Sequence, residues 1–201
     1  MASVIKVGGW QQAQRILRAG PARFRRAVDR AVLQEAQLYK KEIVRGLTSG
    51  RPGGKTLEPL SPTTLATRRA RGMRGSKPLI ARGDLRRSIT VVKGPFGGAF
   101  VGVLRSARGS DGQSLVNVAA VHELGKTVVV RLTPTSRRFL MMILREAGIE
   151  PGGGGGGTGI AVIRIPARPF LRPVFDKLSK GAPARVTRRV ALLLAGDFGV
   201  V

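Results

Sequence analysis

Residues 88–104 read SITVVKGPFGGAFVGVL. Two β-branched or apolar runs, SITVVKG and GAFVGVL, are separated by a Gly-Pro-Phe-Gly-Gly turn, which is the pattern of a β-hairpin. The chain before this stretch has helical periodicity or loop composition, and much of the chain after it is strand-like. KTVVVRLT at 126–133 and IAVIRI at 160–165 read as further strands, and LVNVAAVHELG at 115–125 is another short apolar segment. SVIKV at 3–7 alternates enough for a first strand that Gly8-Gly9 ends.

The helices flank this block. A short one is expected around Trp10–Arg18, with a break at Gly20-Pro21. From Pro21 to Gly46 the apolar positions Phe24, Val28, Val32, Tyr39 and Ile43 recur at helical spacing, with Pro21 suited to the first turn and Gly46 to the C-terminal cap. Ser61-Pro62 can open a short helix, and Thr133-Pro134 opens one through about Ala147 with Phe139, Leu140, Ile143 and Leu144 on one face. Two helices, near Phe170–Ser179 and Pro183–Leu194, finish the chain. Helices and strands are grouped rather than alternating. The expectation is therefore an α+β fold, a single domain over residues 1–201. It would have a largely antiparallel sheet of about four to five strands packed with a long N-terminal helix and further helices. Residues 48–64, 105–114 and the glycine-rich 151–159 read as flexible connections, and 181–201 as a C-terminal helix and tail.

The composition narrows the chemistry. Cysteine is absent, which removes disulfides, thiolate metal sites and cysteine nucleophiles. No apolar run suits a signal peptide or a membrane span, so the chain reads as soluble. Thirty-six basic residues against 11 acidic ones give a net charge of +25, a field that attracts nucleic acid or an acidic protein surface. Arginine dominates the excess, which suits bidentate phosphate contacts but also follows from a GC-rich genome.

Several motifs resemble active-site signatures without their context. SGRPGGKT at 49–56 has serine where a phosphate-binding loop needs its first glycine, and it comes after a helix instead of a strand. His122, the single histidine, has no companion for a triad or a metal and reads as a hydrogen-bonded structural residue. Arg82-Gly83-Asp84 is too short to signify adhesion. Eleven scattered acids offer no close pair for acid–base work. The sequence points to no enzyme and to no cofactor or metal.

Three separated segments carry a different signal: LIARGDLRRSI at 79–89, VAAVHELG at 118–125 and RIPARPFL at 164–171. Each has a local logic. Gly83 suits a tight turn with Asp84 as a cap, and Gly125 ends the His122 segment. Pro166 and Pro169 fix the backbone around Arg168, so that Phe170 and Leu171 are presented at a set angle before a helix begins. Phe170 and Leu171 suit either the subunit's own core or a seat between subunits.

Taken together, the three segments resemble the virion morphogenesis, or tail completion, proteins of tailed phages, in order and approximate spacing from about Leu57 to Asp176. Val118 stands where that family usually has an aromatic residue. The resemblance implies a structural protein of the virion, assembled in the host cytoplasm and located at the neck or head-proximal tail. It further implies a homo-oligomeric ring, commonly of six subunits, that caps the tail tube and joins tail to head. Its partners would be the tail tube protein, the sheath if the tail is contractile, and the neck or connector proteins of the head. Pro166, Arg168, Pro169, Phe170 and Leu171 are then candidate interface anchors. Arg68, Arg69, Arg71, Arg74, Arg86 and Arg87 are candidates to face genomic DNA in the lumen or an acidic partner. A basic, non-sequence-specific nucleic-acid-binding protein is the alternative.

Overall fold

The structure, a computed structural model, describes residues 10–73, 75–150 and 159–197. The strand expected at 3–7 lies outside the described residues. Helix α1 runs unbroken from Trp10 to Ser49, with Pro21 inside it. The expected break at Gly20-Pro21 does not form. Gly20 has no Cβ for the proline ring to strike, which removes one of the two clashes that usually exclude proline from a helix. Nor does Gly46 cap the helix. A Cβ at Gly46 would lie 2.5 Å from the Cα of Pro52, so glycine is needed there for the chain to fold back closely, and Gly50, with φ 74°, comes just after the last turn.

After α1 come α2 (Pro62–Ala70), α3 (Asp84–Ser88), β1 (Ile89–Lys93), β2 (Ala99–Val103) and α4 (Leu115–Leu124). Next are β3 (Lys126–Arg131), α5 (Pro134–Glu146), β4 (Ile160–Ile165), α6 (Arg172–Ser179) and α7 (Ala182–Asp197). Ser61 and Thr133 cap α2 and α5 as expected, accepting from the amides of Thr64 and Ser136, each at 3.2 Å. The mixture of helix and antiparallel sheet is as expected, but a sheet of four to five strands is not. The described strands form two separate two-stranded antiparallel sheets, β1–β2 and β3–β4. The apolar segment between them is the helix α4, because a ten-residue apolar run without strict alternation serves either state. Among the described residues, no helix is long and apolar enough to cross a membrane.

The chain divides into two compact units. The larger comprises residues 39–90 and 101–178. Its core gathers Ile43 and Leu47 from α1, Leu85 and Ile89 around α3, Leu115 and Ala119 from α4, and Phe170 and Val174 at the start of α6. Tyr39 and Phe175 stack obliquely with ring centroids 4.8 Å apart, adding a second tie between α1 and α6. In this unit α2 packs on α5 and α3 on α4. The β3–β4 ribbon pairs Lys126 with Ile165 through to Arg131 with Ile160.

The smaller unit comprises residues 1–38, 91–100 and 179–201. Ala27, Ala31 and Ala36 are buried along α1. Glu35, also buried, accepts hydrogen bonds from both Arg185 and Arg189 of α7. Lys93 reaches Asp29 at 2.8 Å. Burial works to raise the pKa of Glu35, but the two guanidiniums outweigh it and hold the carboxyl below its ordinary value. That interaction is fully present above the unfolded carboxylate range and is lost as pH falls through the lower folded value. Glu35→Gln is therefore expected to lower stability by about 3 kcal/mol at neutral pH, because it removes the negative charge that the Arg185 and Arg189 guanidiniums share. Urea titrations at several pH values should show this difference shrinking below about pH 4.

Candidate functional site

β4 ends at Ile165, and Pro166 stops the ladder because it has no amide hydrogen to donate. The chain then runs past the end of α4. The amide of Arg168 donates to the carbonyl of His122 at 2.6 Å. Beyond Pro169 the amides of Phe170, Leu171 and Arg172 all point to one carboxylate. Glu123 accepts from the first two at Oε2, at 2.9 and 3.0 Å, and from the third at Oε1, at 2.8 Å. The first amides of a helix have no partner within it, so one anion satisfies three donors where α6 begins and also complements the helix dipole. Gly125, with φ 74°, lets the chain turn immediately after α4, and a Cβ there would come within 3.0 Å of the amide nitrogen of Ala167.

Arg168 completes the junction from the other side. Its side chain is buried, donating from Nε to the carbonyl of Glu58 at 2.8 Å and from Nη2 to that of Pro59 at 2.7 Å. This fastens the 48–64 connection to a segment more than a hundred residues away. Arg68 is buried too, and its Nη1 donates to the carbonyls of Gly75, Lys77 and Ile80. Burial, and then the charge of Arg168, lower the Arg68 pKa. Burial also lowers the pKa of His122, reinforced by Arg168 and then Arg68, which favours the neutral imidazole. Its Nδ1 is buried without a partner, so the histidine is less fully hydrogen-bonded than the sequence suggests.

The candidate anchors thus divide. Phe170 is fully buried in the chain's own core and Arg168 is buried beside it, so neither side chain is on the surface to seat a neighbouring subunit. Pro166, Pro169 and Leu171 are half-buried, and Leu171 packs against the same core. The prolines orient the chain inward.

The basic candidates do not form one surface. Arg68 points inward onto its carbonyls. Arg69 is exposed and pairs with Glu146 at 3.3 Å, while Arg87 is exposed and pairs with Asp84. Arg71 is exposed and Arg86 half-buried, and Arg74 lies outside the described residues. Asp84 does not act as the helix cap its position suggests. It instead accepts from the amide and hydroxyl of Ser110, at 3.0 and 2.8 Å, and ties down the 105–114 loop. Those bonds, with Arg87, hold its carboxyl below the ordinary range.

Two arginine clusters emerge only from the structure. In the smaller unit Arg23, Arg26 and Arg30 share a pocket of about 230 Å³ with Ala27 and Leu193. In the larger one a groove of about 640 Å³ runs beside α5, lined by Leu132, Arg137, Arg138, Met141, Met142 and Arg145. The arginine spacings along α1 and α5 are visible in the sequence, but nothing local distinguishes a lined cleft from a solvated helix face.

Comparisons of this chain with protein-family models, with curated proteins and with solved structures find no match.

Glu123→Ala is expected to destabilise the fold by about 2–3 kcal/mol by stranding the part-buried amides of Phe170 and Leu171, whereas Arg71→Ala and Arg86→Ala should each stay within about 0.5 kcal/mol. Chemical denaturation checks both. His122 adds a second signature. The unfolded chain takes up a proton below the ordinary histidine value of 6.5 while the folded one resists, so stability should decline as pH falls below it. Since His122 is the single histidine, His122→Asn should remove that slope and leave the carboxylate transitions unchanged.

Proposed function

We propose that this chain is a passive structural subunit of a tailed-phage virion. It forms a closed homo-oligomeric ring at the head-proximal end of the tail, caps the tail tube and joins tail to head. The observation that carries this reading is the meeting of the three resembling segments in one place. Leu79, Leu85 and Ile89 of the first, Ala119 of the second and Phe170 of the third share one core, and Glu123 and Arg168 bind the second segment to the third. Residues separated by up to 91 positions in sequence, and recognisable as motifs, thus act as one structural joint.

The need for neighbours has separate support. On one face of the β3–β4 ribbon, Thr127, Val129 and Arg131 lie opposite Arg164, Val162 and Ile160, and all six are exposed. Val129 is 64% exposed and Val162 63%, which leaves a two-stranded ribbon, marginal by itself, uncovered on that side. Among the described residues each strand also has a free edge, a template for pairing with another chain. A neighbouring subunit covering this face in a head-to-tail ring satisfies both. Copies carrying +25 each repel one another, so the ring forms where anions are at hand, either genome phosphates in its lumen or acidic tube and connector surfaces. Arg71 and Arg86, which carry no ion pair among the described residues, remain available to meet them, whereas Arg69 and Arg87 are exposed but already paired with Glu146 and Asp84.

One observation favours a second reading, a free-standing nucleic-acid-binding protein. Arg23, Arg26 and Arg30 lie along one face of α1 around a pocket, as a phosphate-tracking stripe would. Such a protein would bind DNA as a monomer, with affinity falling steeply with salt.

Light scattering after size exclusion, with negative-stain imaging, separates the two. Cyclic oligomers are expected, alone or on isolated tails, and Val129→Asp/Val162→Asp should give folded monomers that fail to restore head joining to tails made without this chain. Monomers that never associate with tails, or heads that join without the chain, would overturn the proposal.

A further inference from the structure

The groove beside α5 belongs neither to the β3–β4 face nor to the Glu123 junction, and its chemistry is specific. Its wall combines apolar groups, from Leu132, Pro134, Met141 and Met142, with cationic ones, from Arg137, Arg138 and Arg145. None of these guanidiniums has a carboxylate partner among the described residues. The acid nearest in sequence, Glu146, is occupied by Arg69 at 3.3 Å. Met142 is 49% exposed, so a flexible, polarisable side chain sits in the open between charges.

The spacing narrows the occupant. Arg138 and Arg145 are seven residues apart, with Met141 and Met142 between them, so α5 presents a cation–apolar–cation stripe about 10 Å long. The complement is an anion–apolar–anion stripe of the same length. A second helix supplies it when acids at positions i and i+7 flank apolar residues at i+3 and i+4. A cleft of about 640 Å³ falls within the size range of ligand clefts, room enough for the few side chains of such a stripe.

We infer that this groove docks an acidic amphipathic helix of a partner protein. Nucleic acid fits less well. Its phosphates would engage the arginines, but the methionines and Leu132 would gain nothing from a sugar–phosphate backbone. A second copy of this chain fits less well too, because it brings +25 to a site that lacks negative charge. The inference stands whether or not the chain forms a ring, since every residue it uses lies within the larger unit.

The probe is a fluorescein-labelled helical peptide of about 15 residues with glutamates at i and i+7 around leucines at i+3 and i+4, measured by anisotropy against the full chain. A scrambled peptide of equal charge should bind about tenfold more weakly. Arg138→Glu/Arg145→Glu should weaken the ordered peptide by at least about tenfold, and Met141→Ser/Met142→Ser by about fivefold, with far-ultraviolet circular dichroism unchanged. A peptide with lysine in place of glutamate should regain affinity for the charge-reversed variant, a rescue that a misfolded protein could not show. Equal binding of the scrambled peptide would overturn the inference by reducing the site to bulk charge. So would duplex DNA or anionic vesicles that depend on Arg138 and Arg145 but not on the methionines, or self-association that the same substitutions abolish.

Discussion

Three amide hydrogens at the head of α6 converge on the carboxylate of Glu123. Without that anion the part-buried amides of Phe170 and Leu171 would lose their acceptor, and each stranded donor carries a desolvation penalty of about 1–3 kcal/mol. With it, the end of α4 and the start of α6 become a single corner. Phe170 can then be completely buried, and Val174 and Phe175 pack onward against α1. Pro166 and Pro169 reduce the number of conformations the chain must give up to reach this corner. The stiff backbone is thus explained from inside the chain itself: it sets the angle at which a core residue enters.

Electrostatics in this chain are shaped by scarcity. With 36 bases and 11 acids, carboxylates cannot match every guanidinium. Glu35 serves two arginines and Glu123 serves three amides, while the buried Arg68 and Arg168 rely on backbone carbonyls. Carbonyl ligation satisfies the donors but leaves the positive charge in place, which adds to burial in lowering the pKa of His122 beside them. Arg25, Arg26 and Arg30 on α1, Arg138 and Arg145 on α5 and Arg188 on α7 are exposed. A chain built this way gains from anionic surroundings, and the exposed Val129 and Val162 of its ribbon gain from being covered. The proposed assembly against an acidic or phosphate-rich structure would meet both demands together.

Much of this is legible in the sequence because the signals are local. Ser61-Pro62 and Thr133-Pro134 cap helices within a few residues, the hairpin turn carries its own glycines and proline, and the start of α6 after Leu171 comes from two proline restrictions. Most of the errors lie where distant partners decide. The break expected at Pro21 fails for a local reason, since Gly20 relieves the clash, and the 115–125 run, whose state its apolar pattern leaves open, forms the helix α4. Arg68 and Arg168 read as surface groups, as arginine usually is, since the carbonyls that bury them come from loops up to 110 residues away. Glu123 is visible as an acid beside a histidine. Its role depends on amides 47 to 49 positions further on, which no local pattern reveals.

The most direct test of the proposed role is to locate the chain itself. Mature particles carrying this chain with a C-terminal tag, imaged by electron cryomicroscopy with a labelled antibody fragment, should show a closed ring of tagged density where the tail tube meets the head. Intact, infectious particles with no copy of the chain at that junction would contradict the account.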